Sequence, residues 1–527
     1  MSSAVIARSQ ALIAGHASAG RQRSTGALVL ALSALGLSLA ACSAAPGHRP
    51  VHSGPLAART RRPAAATWVL AGQASADAVD VARKLFVSSP VVIIARAGSR
   101  SALAAAAGDA LTVYAPVLLA SPQSGKPSLR LPESARAEIR ALRPQAVLAV
   151  GVPAHALSAA LGTIRVVTHL AKLPATRAPV PVSGVMLLVH RGSAASIRAR
   201  AATATARAAG ANVVIVRGYD PRADPAAIAA IAAIKPREVL ALGAEFGSPR
   251  RLTARVAVAA TGRRLPGGGE VLFPMHRLVA LYGHPGTPGL GALGEQDLAA
   301  SIARARRLAA RYRSLSRVRV IPAFEIIASV AQGASEPEGG TYSYLTPVAE
   351  IRPWVIQATR AGMYVILDLQ AGRASLLAQA KLYRPLLELP DVGLAIDPEW
   401  KLTAHQLPLH QIGAVTSKQV NNVAYWLAAL TARRHLPQKL LVLHQFELSM
   451  LAGEHDINTS NDDLAIVIHM DGQGTPGNKL QTWDAVTGAA PGHIYFGWKN
   501  FFVKDHPMLT PAQTMARSPQ PVMISYQ

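Results

Sequence analysis

The C-terminal half of the chain alternates short apolar runs with amphipathic stretches. Between residues 271 and 527 eight runs have the length of a strand, and helical periodicity separates most of them. Helices of this kind can shield a parallel sheet on its outer side. Eight strand-and-helix units in about 250 residues are typical of a closed (β/α)8 barrel. The runs are 278–282, 318–324, 364–367, 392–396, 440–443, 464–468, 493–496 and 522–525.

Polar residues stand where nearly every one of these runs stops. In a parallel barrel the chemistry lies at the C-terminal ends of the strands, which meet in one mouth. The pattern therefore predicts a catalytic or binding site built from residues far apart in the chain. The polar residues at the run ends are His284, Glu325, Asp368, Gln370, Asp397, Glu399, His444, Gln445, His469, Asp471, Trp498, Lys499 and Tyr526.

The front half predicts a second α/β region. From residue 67 onward, apolar runs alternate with alanine-rich helical stretches, which favours parallel, helix-covered sheets. A proline-rich break near residues 174–181 separates subdomains at 67–180 and 181–265, and a glycine-rich joint at 265–269 precedes the barrel. The predicted fold class is therefore α/β, with an N-terminal parallel α/β module of two subdomains and a C-terminal (β/α)8, TIM-like barrel at 271–527.

The first 66 residues have the composition of a targeting segment followed by a spacer. Residues 26–41 are apolar and follow Arg21 and Arg23, the layout of a secretory signal. The run ends in Leu39-Ala40-Ala41-Cys42, which resembles a bacterial lipobox. That resemblance implies a signal peptide at 1–41, an acylated Cys42 and a lipid anchor on the extracytoplasmic face of the membrane. A single-pass anchor with an idle cysteine is the alternative, and residues 42–66 are expected to form a disordered spacer.

The net charge and the cysteine content limit which binding partners and covalent links are expected. The chain has 54 Lys and Arg against 29 Asp and Glu, a net charge of +25, and most of the excess precedes residue 271. A basic protein outside a membrane meets anionic wall polymers or acidic headgroups, although an arginine-favouring genome gives the same composition. No nucleic-acid-binding motif is present, so that partner is not expected. The single cysteine, Cys42, excludes an internal disulfide.

Residues 67–155 contain apolar segments at 91–95, 115–119 and 146–150, with Arg143-Pro144-Gln145 and Gly151 around the last of them. With these segments the region resembles the cell-wall-binding repeat of Gram-positive surface proteins. The resemblance implies non-covalent attachment to cell-wall polysaccharide or another anionic envelope polymer. A scaffold without a ligand is the alternative.

The most specific local motif is Asp397-Pro398-Glu399-Trp400. On a continuous strand, residues two apart point the same way, so Asp397 and Glu399 are expected on one face of the rim. Two carboxylates this close raise the pKa of one of them, which can then act as a general acid. The motif resembles the fourth strand of family 18 glycoside hydrolases and, more loosely, the Asp-x-Glu of family 25 muramidases. The resemblance implies that Glu399 is the proton donor and that Asp397 orients the substrate or stabilises charge.

Other residues complete the predicted site. Glu325 or Asp368 could supply the second carboxylate of a catalytic pair with Glu399. The predicted substrate-binding residues are His284, Trp400, His444, Gln445, His469, Asp471 and Trp498. The three histidines with Asp471 could instead hold a metal, although the favoured hypothesis needs no metal or cofactor.

Three functions fit the sequence. The first is a lipid-anchored envelope enzyme that hydrolyses a glycan, supported by the crowd of polar residues at one predicted mouth. The second is a non-catalytic lipoprotein whose barrel binds cell wall, another carbohydrate or a protein. The third is a solute-binding lipoprotein serving a transporter, which leaves the barrel unexplained.

Overall fold

The computed structural model describes residues 54–70, 74–122, 129–194, 197–333 and 340–527. The predicted signal peptide and Cys42 lie outside the described residues. Among the described residues, no helix is both long and apolar enough to cross a membrane.

The C-terminal half is a closed barrel of eight parallel strands, as predicted. The strands follow one another around the barrel in chain order, and the first pairs with both the second and the last. The strands are His276–Gly283, Arg319–Ala331, Tyr364–Leu369, Val392–Ile396, Lys439–Gln445, Leu464–Met470, Tyr495–Asn500 and Met523–Tyr526.

Helices cover the outside of the barrel, and their starts are set by capping side chains. Thr416 and Gln419 form a reciprocal capping box, and Asp297 accepts a hydrogen bond from the Ala300 amide. The apolar faces of these helices pack on the outward-facing strand residues as one core. The helices are Leu298–Ala310, Val348–Arg360, Leu376–Leu382, Arg384–Leu387, Ser417–Arg433, Pro476–Ala489 and Pro511–Met515. Short strands at Ser343–Leu345, Val415–Thr416 and Leu451–Ala452 lie in the connections.

The lower part of the barrel interior is apolar. Alternate residues of each strand point inward, so the interior fills with side chains from every strand and is a packed core rather than a pore. This floor supports everything that lies at the mouth. Its residues are Leu278, Ala280, Ile321, Ala323, Tyr364, Ile366, Ala395, Leu440, Val442, Ala465, Val467 and Met523.

The front module contains two mainly parallel sheets. One has five strands in the order Leu129–Arg130, Val117–Pro122, Val91–Arg96, Ala146–Val150 and Arg165–Val167. The other has four, in the order Asn212–Val216, Val185–His190, Glu238–Leu242 and Ala66–Leu70. The helices around them are Ala74–Leu85, Arg100–Val113, Glu133–Leu142, Ala154–Leu161, Arg191–Ala194, Ile197–Ala208, Pro225–Ile234 and Pro249–Ala259.

Two details of the front module differ from the sequence prediction. Ala66–Leu70 pairs with Glu238–Leu242, so the first long strand lies in the sheet of the second predicted subdomain. Within the predicted spacer, Leu56–Ala57 pairs with Thr176–Arg177, and Arg59–Thr60 pairs with Phe86–Ser88. Both differences arise from pairing between strands that are far apart in the sequence. An apolar run predicts a strand, but it does not indicate which other strand it will pair with. The division at residues 180 and 181 stays a prediction.

A cluster of ion pairs joins the front module to the N-terminal ends of the barrel strands. Arg222 is almost fully buried and lies 2.8 Å from Asp220. Arg255 contacts Asp220 at 3.2 Å and Asp462 at 3.0 Å, and Arg251 also pairs with Asp462. Asp462 lies two residues before the start of the sixth barrel strand. The module is therefore attached at the end of the barrel opposite the mouth.

Asp462→Asn is expected to lower the free energy of unfolding by about 1–3 kcal/mol. The substitution removes the carboxylate that Arg251 and Arg255 share and leaves Arg255, whose side chain is only 10% exposed, short of one anion. Urea unfolding at constant salt measures the change. The matched control is Glu133→Gln, which breaks the exposed pair with Arg140 and should leave the midpoint almost unchanged. Equal midpoints for both variants would contradict a stabilising role of the cluster.

Candidate functional site

A cavity of about 500 Å³ opens at the C-terminal ends of the barrel strands. Its wall contains four acidic side chains, two lysines and four aromatic side chains. This mixture of flat apolar surfaces and a few charged groups is typical of a small-molecule or sugar site. The residues are Asp397, Glu399, Glu447, Asp471, Lys499, Lys504, Tyr282, Trp400, Phe446 and Phe501.

A layer of polar side chains separates the cavity from the apolar floor. Most of these residues lie two positions after an apolar residue that points into the barrel from the same strand. Because side chains two positions apart point to the same face of a strand, these polar side chains also point inward. Glu325 follows Ala323 in this way, and His444 follows Val442. All members of the layer are buried. They are Tyr282, Glu325, Asp368, Asp397, His444, His469, Lys499 and Ser525.

His444 is the centre of this layer. Its Nε2 lies 3.1 Å from a carboxylate oxygen of Glu325, and its Nδ1 lies 3.1 Å from a carboxylate oxygen of Asp471. A carboxylate oxygen of Asp368 is 4.0 Å from Nε2. An imidazolium ring donates from both nitrogens, so this geometry fits the protonated form. His444 thus bridges a buried carboxylate below the cavity to one in the cavity wall.

The charges in this bridge shift the pKa values of its members. Burial disfavours the charged imidazole, but Glu325 and Asp471 outweigh it and raise the pKa of His444 well above its usual range. Burial likewise acts against ionised Asp471, yet the hydrogen bond and positive charge of His444 lower the pKa of that carboxyl. At neutral pH the pair is therefore an imidazolium and an ionised carboxylate.

Asp368 and Tyr282 form a second unit of the layer. The Tyr282 hydroxyl donates to Asp368 at 2.9 Å, and Gln370 donates to the Tyr282 oxygen at 3.4 Å. Burial raises the pKa of Asp368 from 3.8 to about 6. The Lys499 ammonium lies 3.6 Å from the centre of the Tyr282 ring, within the range of a cation–π contact. Neither Asp368 nor Glu325 lines the cavity wall, so both act from beneath it.

Asp397 and Glu399 both line the cavity, but they do not share a strand face. The fourth strand ends at Ile396, and Pro398–Trp400 forms a single 3-10 turn, which Pro398 favours by fixing its φ angle. The turn places Glu399 in a half-buried position and keeps Asp397 buried. The shared-face prediction was therefore wrong about the backbone, although both carboxyls reach the same cavity.

The environments of these two carboxyls favour their protonated forms. Burial, followed by the charge of Asp368, raises the pKa of Asp397 well above its usual range. Burial and the charge of Asp471 raise the pKa of Glu399, and Lys499 and Lys504 partly offset this effect. The wall thus contains two carboxyls with raised pKa values, Asp397 and Glu399, and one with a lowered pKa, Asp471. Carboxyls whose pKa values differ in this way can act as the acid and the base of one reaction.

His469 lies beside His444 but remains neutral. Their ring centres are 5.2 Å apart, and Nε2 of His469 is 3.2 Å from the Ser525 hydroxyl. Burial and the charge of His444 lower the pKa of His469 well below its usual range. Gly497 on the neighbouring strand makes room for this ring, because a Cβ there would lie 2.5 Å from the imidazole.

Three predicted site residues lie elsewhere. Trp498 points outward, packs 5.5 Å from Trp483 between ring centres and belongs to the core beneath the helices. Gln445 also points away from the mouth and donates to Glu454 at 3.0 Å. His284 is held by hydrogen bonds of 3.0 Å to Thr287 and Thr346. The physical reason for the first two is strand alternation, because each directly neighbours an inward residue.

The histidines and Asp471 do not form a metal centre. Within the part of the chain that the structure describes, no group of three or more His, Cys, Asp or Glu side chains could hold a metal ion. Both nitrogens of His444 contact carboxylates, and His284 lies apart with its threonine partners. The cluster is better described as a hydrogen-bonded acid–imidazole chain.

Several contributors to the cavity were not predicted as site residues. Tyr282 was treated as the end of a strand, yet Leu278, Ala280 and Tyr282 alternate on one face, which is a readable signal of an inward position. Lys499 was placed at the predicted mouth but received no specific role, because the seventh strand runs to Asn500, four residues past the predicted run. The sequence carried no comparable signal for Phe446, which lies in a loop.

Asp368→Asn is expected to flatten the dependence of stability on pH. Because the folded-state pKa of Asp368 is raised to about 6, its stabilising contribution is complete below about pH 4 and is lost as the pH rises through 6. Asparagine cannot ionise and still accepts the Tyr282 hydrogen bond. The free energy of unfolding of the variant, relative to that of the wild type, should therefore rise by roughly 2 kcal/mol between pH 4.5 and 7. Urea unfolding across this range measures it, and parallel curves would contradict the raised pKa.

Comparison with known proteins gives little further information. No protein-family model matches the chain, and no curated protein matches it. A matching solved structure is Cwp6 from Clostridium difficile, with 14% sequence identity and a TM-score of 0.18. The match covers 66% of this chain and 65% of that one, slightly under two thirds of its length. A TM-score this low supports no argument about fold or function.

Proposed function

We propose that this protein is a cell-envelope glycan hydrolase that cuts glycosidic bonds by carboxylate acid–base chemistry at the barrel mouth. The observation that carries the proposal is the contrast between two carboxyls in the same cavity. The environment of Glu399 raises its pKa, whereas the hydrogen bond from His444 lowers the pKa of Asp471. Glycoside hydrolysis needs one protonated and one ionised carboxyl beside the bond that breaks.

Glu399 is the proton donor in this mechanism. It lines the open cavity and is half-buried, so a bound glycosidic oxygen can reach its carboxyl group. Protonating that oxygen turns the leaving sugar into a neutral alcohol. The raised pKa keeps Glu399 protonated to a higher pH than an exposed glutamate, which favours its action as an acid.

Asp471 is the ionised partner. It lines the cavity and accepts a hydrogen bond from His444 at 3.1 Å, which holds its carboxylate in place. Its negative charge can stabilise the positive charge that develops on the sugar ring and can take a proton from water. Glu325 contacts the other nitrogen of His444 and so helps to hold that ring in place. In this mechanism Glu325 is therefore a positioning residue and not the catalytic residue that the sequence predicted.

The remaining wall favours a sugar ligand. Trp400, Phe446 and Phe501 provide flat apolar surfaces on which the C–H faces of a sugar ring can pack. Asp397, kept protonated by its buried position, can donate a hydrogen bond to a hydroxyl group. This combination distinguishes the cavity from a purely apolar pocket.

The direct test is to incubate the purified protein with envelope polysaccharides and to measure new reducing ends. Release of reducing ends that is lost in Asp471→Asn supports the proposal. Binding of a polysaccharide without any release favours the non-catalytic carbohydrate-binding alternative. Absence of both binding and release across wall glycans contradicts the proposal.

The envelope location is part of the same proposal and rests on the lipobox-like segment around Cys42 and on the basic front half. If wall attachment is electrostatic, retention on isolated cell walls should fall several-fold between 0.05 and 0.5 M NaCl, because salt screens exposed charges. Co-sedimentation of the purified protein with walls measures this. Retention that does not change with salt would contradict attachment through the basic surface, although the barrel chemistry would stand.

A further inference from the structure

One buried cation in the cavity wall forms no salt bridge with any residue that the structure describes. The side chain of Lys499 is only 3% exposed and lies in the polar layer at the base of the cavity. Its ammonium contacts the faces of Tyr282, at 3.6 Å, and Phe501, at 5.4 Å, and no salt bridge or side-chain hydrogen bond to it is found among the described residues. A buried ammonium is costly unless an anion neutralises it.

Other buried lysines of the barrel have direct hydrogen-bond acceptors, either a carboxylate or carbonyl oxygens. Lys479 lies 2.6 Å from Asp505 and donates to the Lys499 carbonyl oxygen at 2.7 Å. Lys401 donates to the carbonyl oxygens of Gly372 and Leu402. Lys499 differs because it has no such acceptor among the described residues and lines the cavity, where a ligand group can supply one.

The carboxylates around Lys499 act on it through their charge without contacting its ammonium directly. Asp368, Glu399 and Asp471 exert this effect, yet none of them forms a salt bridge with Lys499. Asp471 is instead paired with His444 at 3.1 Å. Lys504 adds a second, exposed positive charge on the same wall. The Lys499 ammonium therefore lacks a direct carboxylate contact where it lines the cavity.

We infer that Lys499 is the binding site for a carboxylate substituent of the substrate, so that the preferred glycan is one built from acidic sugars. A monoanionic carboxylate matches the charge of one buried ammonium, and Lys504 can contact it from the solvent side. The aromatic faces beside Lys499 fit the rest of the sugar ring. This inference rests on the proposed glycan hydrolase function and specifies its substrate class.

The test compares one polymer in two forms. A wall polysaccharide that contains uronic acids is used as isolated and after chemical reduction of its carboxylates to alcohols, which removes the charge and keeps the sugar linkages. The wild-type protein should hydrolyse the acidic form with a kcat/KM about tenfold or more above that of the reduced form. Equal values would overturn the carboxylate site and leave glycan hydrolysis intact, whereas no cleavage of either form would overturn both.

Variants separate recognition from a structural role of Lys499. Lys499→Met, similar in length but uncharged, should bring the ratio between the two forms close to one, and Lys499→Arg should restore part of the preference. A purely structural role would change both rates by the same factor and leave the ratio unchanged, which would overturn the inference. Lys418→Met, at an exposed position of the helix Ser417–Arg433, removes an equal charge and should keep the wild-type ratio.

Discussion

Glu399→Gln is expected to lower the rate of glycan hydrolysis by about 10²- to 10⁴-fold, the usual contribution of a general acid. Glutamine has the same shape but cannot transfer a proton to the leaving oxygen. Because Glu399 is only half-buried and no hydrogen bond to its side chain is found among the described residues, the variant should keep wild-type stability. Single-turnover rates on an envelope polysaccharide, with reducing-end detection, measure the effect.

The control for this variant is Glu447→Gln. Glu447 also lines the cavity, but it is exposed and lies outside the polar layer, so its replacement should change the rate by less than about tenfold. Substrate binding by Glu399→Gln should remain, because the aromatic wall is intact. A Glu399→Gln protein with an unchanged rate would remove Glu399 from the mechanism.

His444→Gln is expected to lower the free energy of unfolding by about 3–5 kcal/mol at pH 6–7, the cost of removing one partner from a buried ion pair. The substitution leaves Glu325, fully buried, and Asp471 without the cation that separates them. Because the folded-state pKa of His444 is raised, its stabilising contribution is complete below its unfolded value near 6.5 and declines as the pH rises through the folded value. Urea unfolding at several pH values measures both effects.

A double-mutant cycle identifies the cause of this loss. In a Glu325→Gln background the His444→Gln substitution should cost less by at least about 1 kcal/mol, since one buried charge has already been removed. His284→Gln is the matched control, because that histidine is hydrogen-bonded to Thr287 and Thr346 rather than to carboxylates. Additive effects of the two cluster substitutions would contradict the ion-pair description of His444.

The barrel was predictable because each strand carries its own local signal. The apolar runs have the length of a buried strand, and short connections with helical periodicity leave few alternatives to a closed parallel barrel. The same alternation placed Glu325, Asp368 and His444 at one mouth. For these residues the prediction needed only the direction of a side chain and the end of a strand.

The geometry within the mouth was not predictable to the same extent. His444 and Glu325 are 119 residues apart, and nothing in either segment indicates that an imidazole bridges two carboxylates. The direction of Trp498 depends on where the seventh strand ends, and that boundary was set too early. The Asp397-Pro398-Glu399 segment looked like a continuing strand, whereas Pro398 begins a 3-10 turn. Short-range patterns identify residue types and faces, but tertiary contacts decide pairs and turns.

The front module shows the same limit. Its parallel strands and alanine-rich helices follow from the alternation of apolar runs, yet Ala66–Leu70 pairs with a strand more than 160 residues away in the sequence. Parallel pairing has no sequence code beyond hydrophobicity, because any two apolar runs can lie side by side. The sequence alone therefore could not show which strands of the two predicted subdomains share a sheet.

The position of the ion-pair cluster around Arg255 and Asp462 has a consequence for how the proposed enzyme would work on a wall. The cluster fixes the basic module behind the barrel, on the far side from the opening that holds Glu399. If the front module binds a wall polymer, the barrel cavity would face away from the bound strand. The enzyme would then hydrolyse neighbouring strands and leave the strand to which it is bound intact.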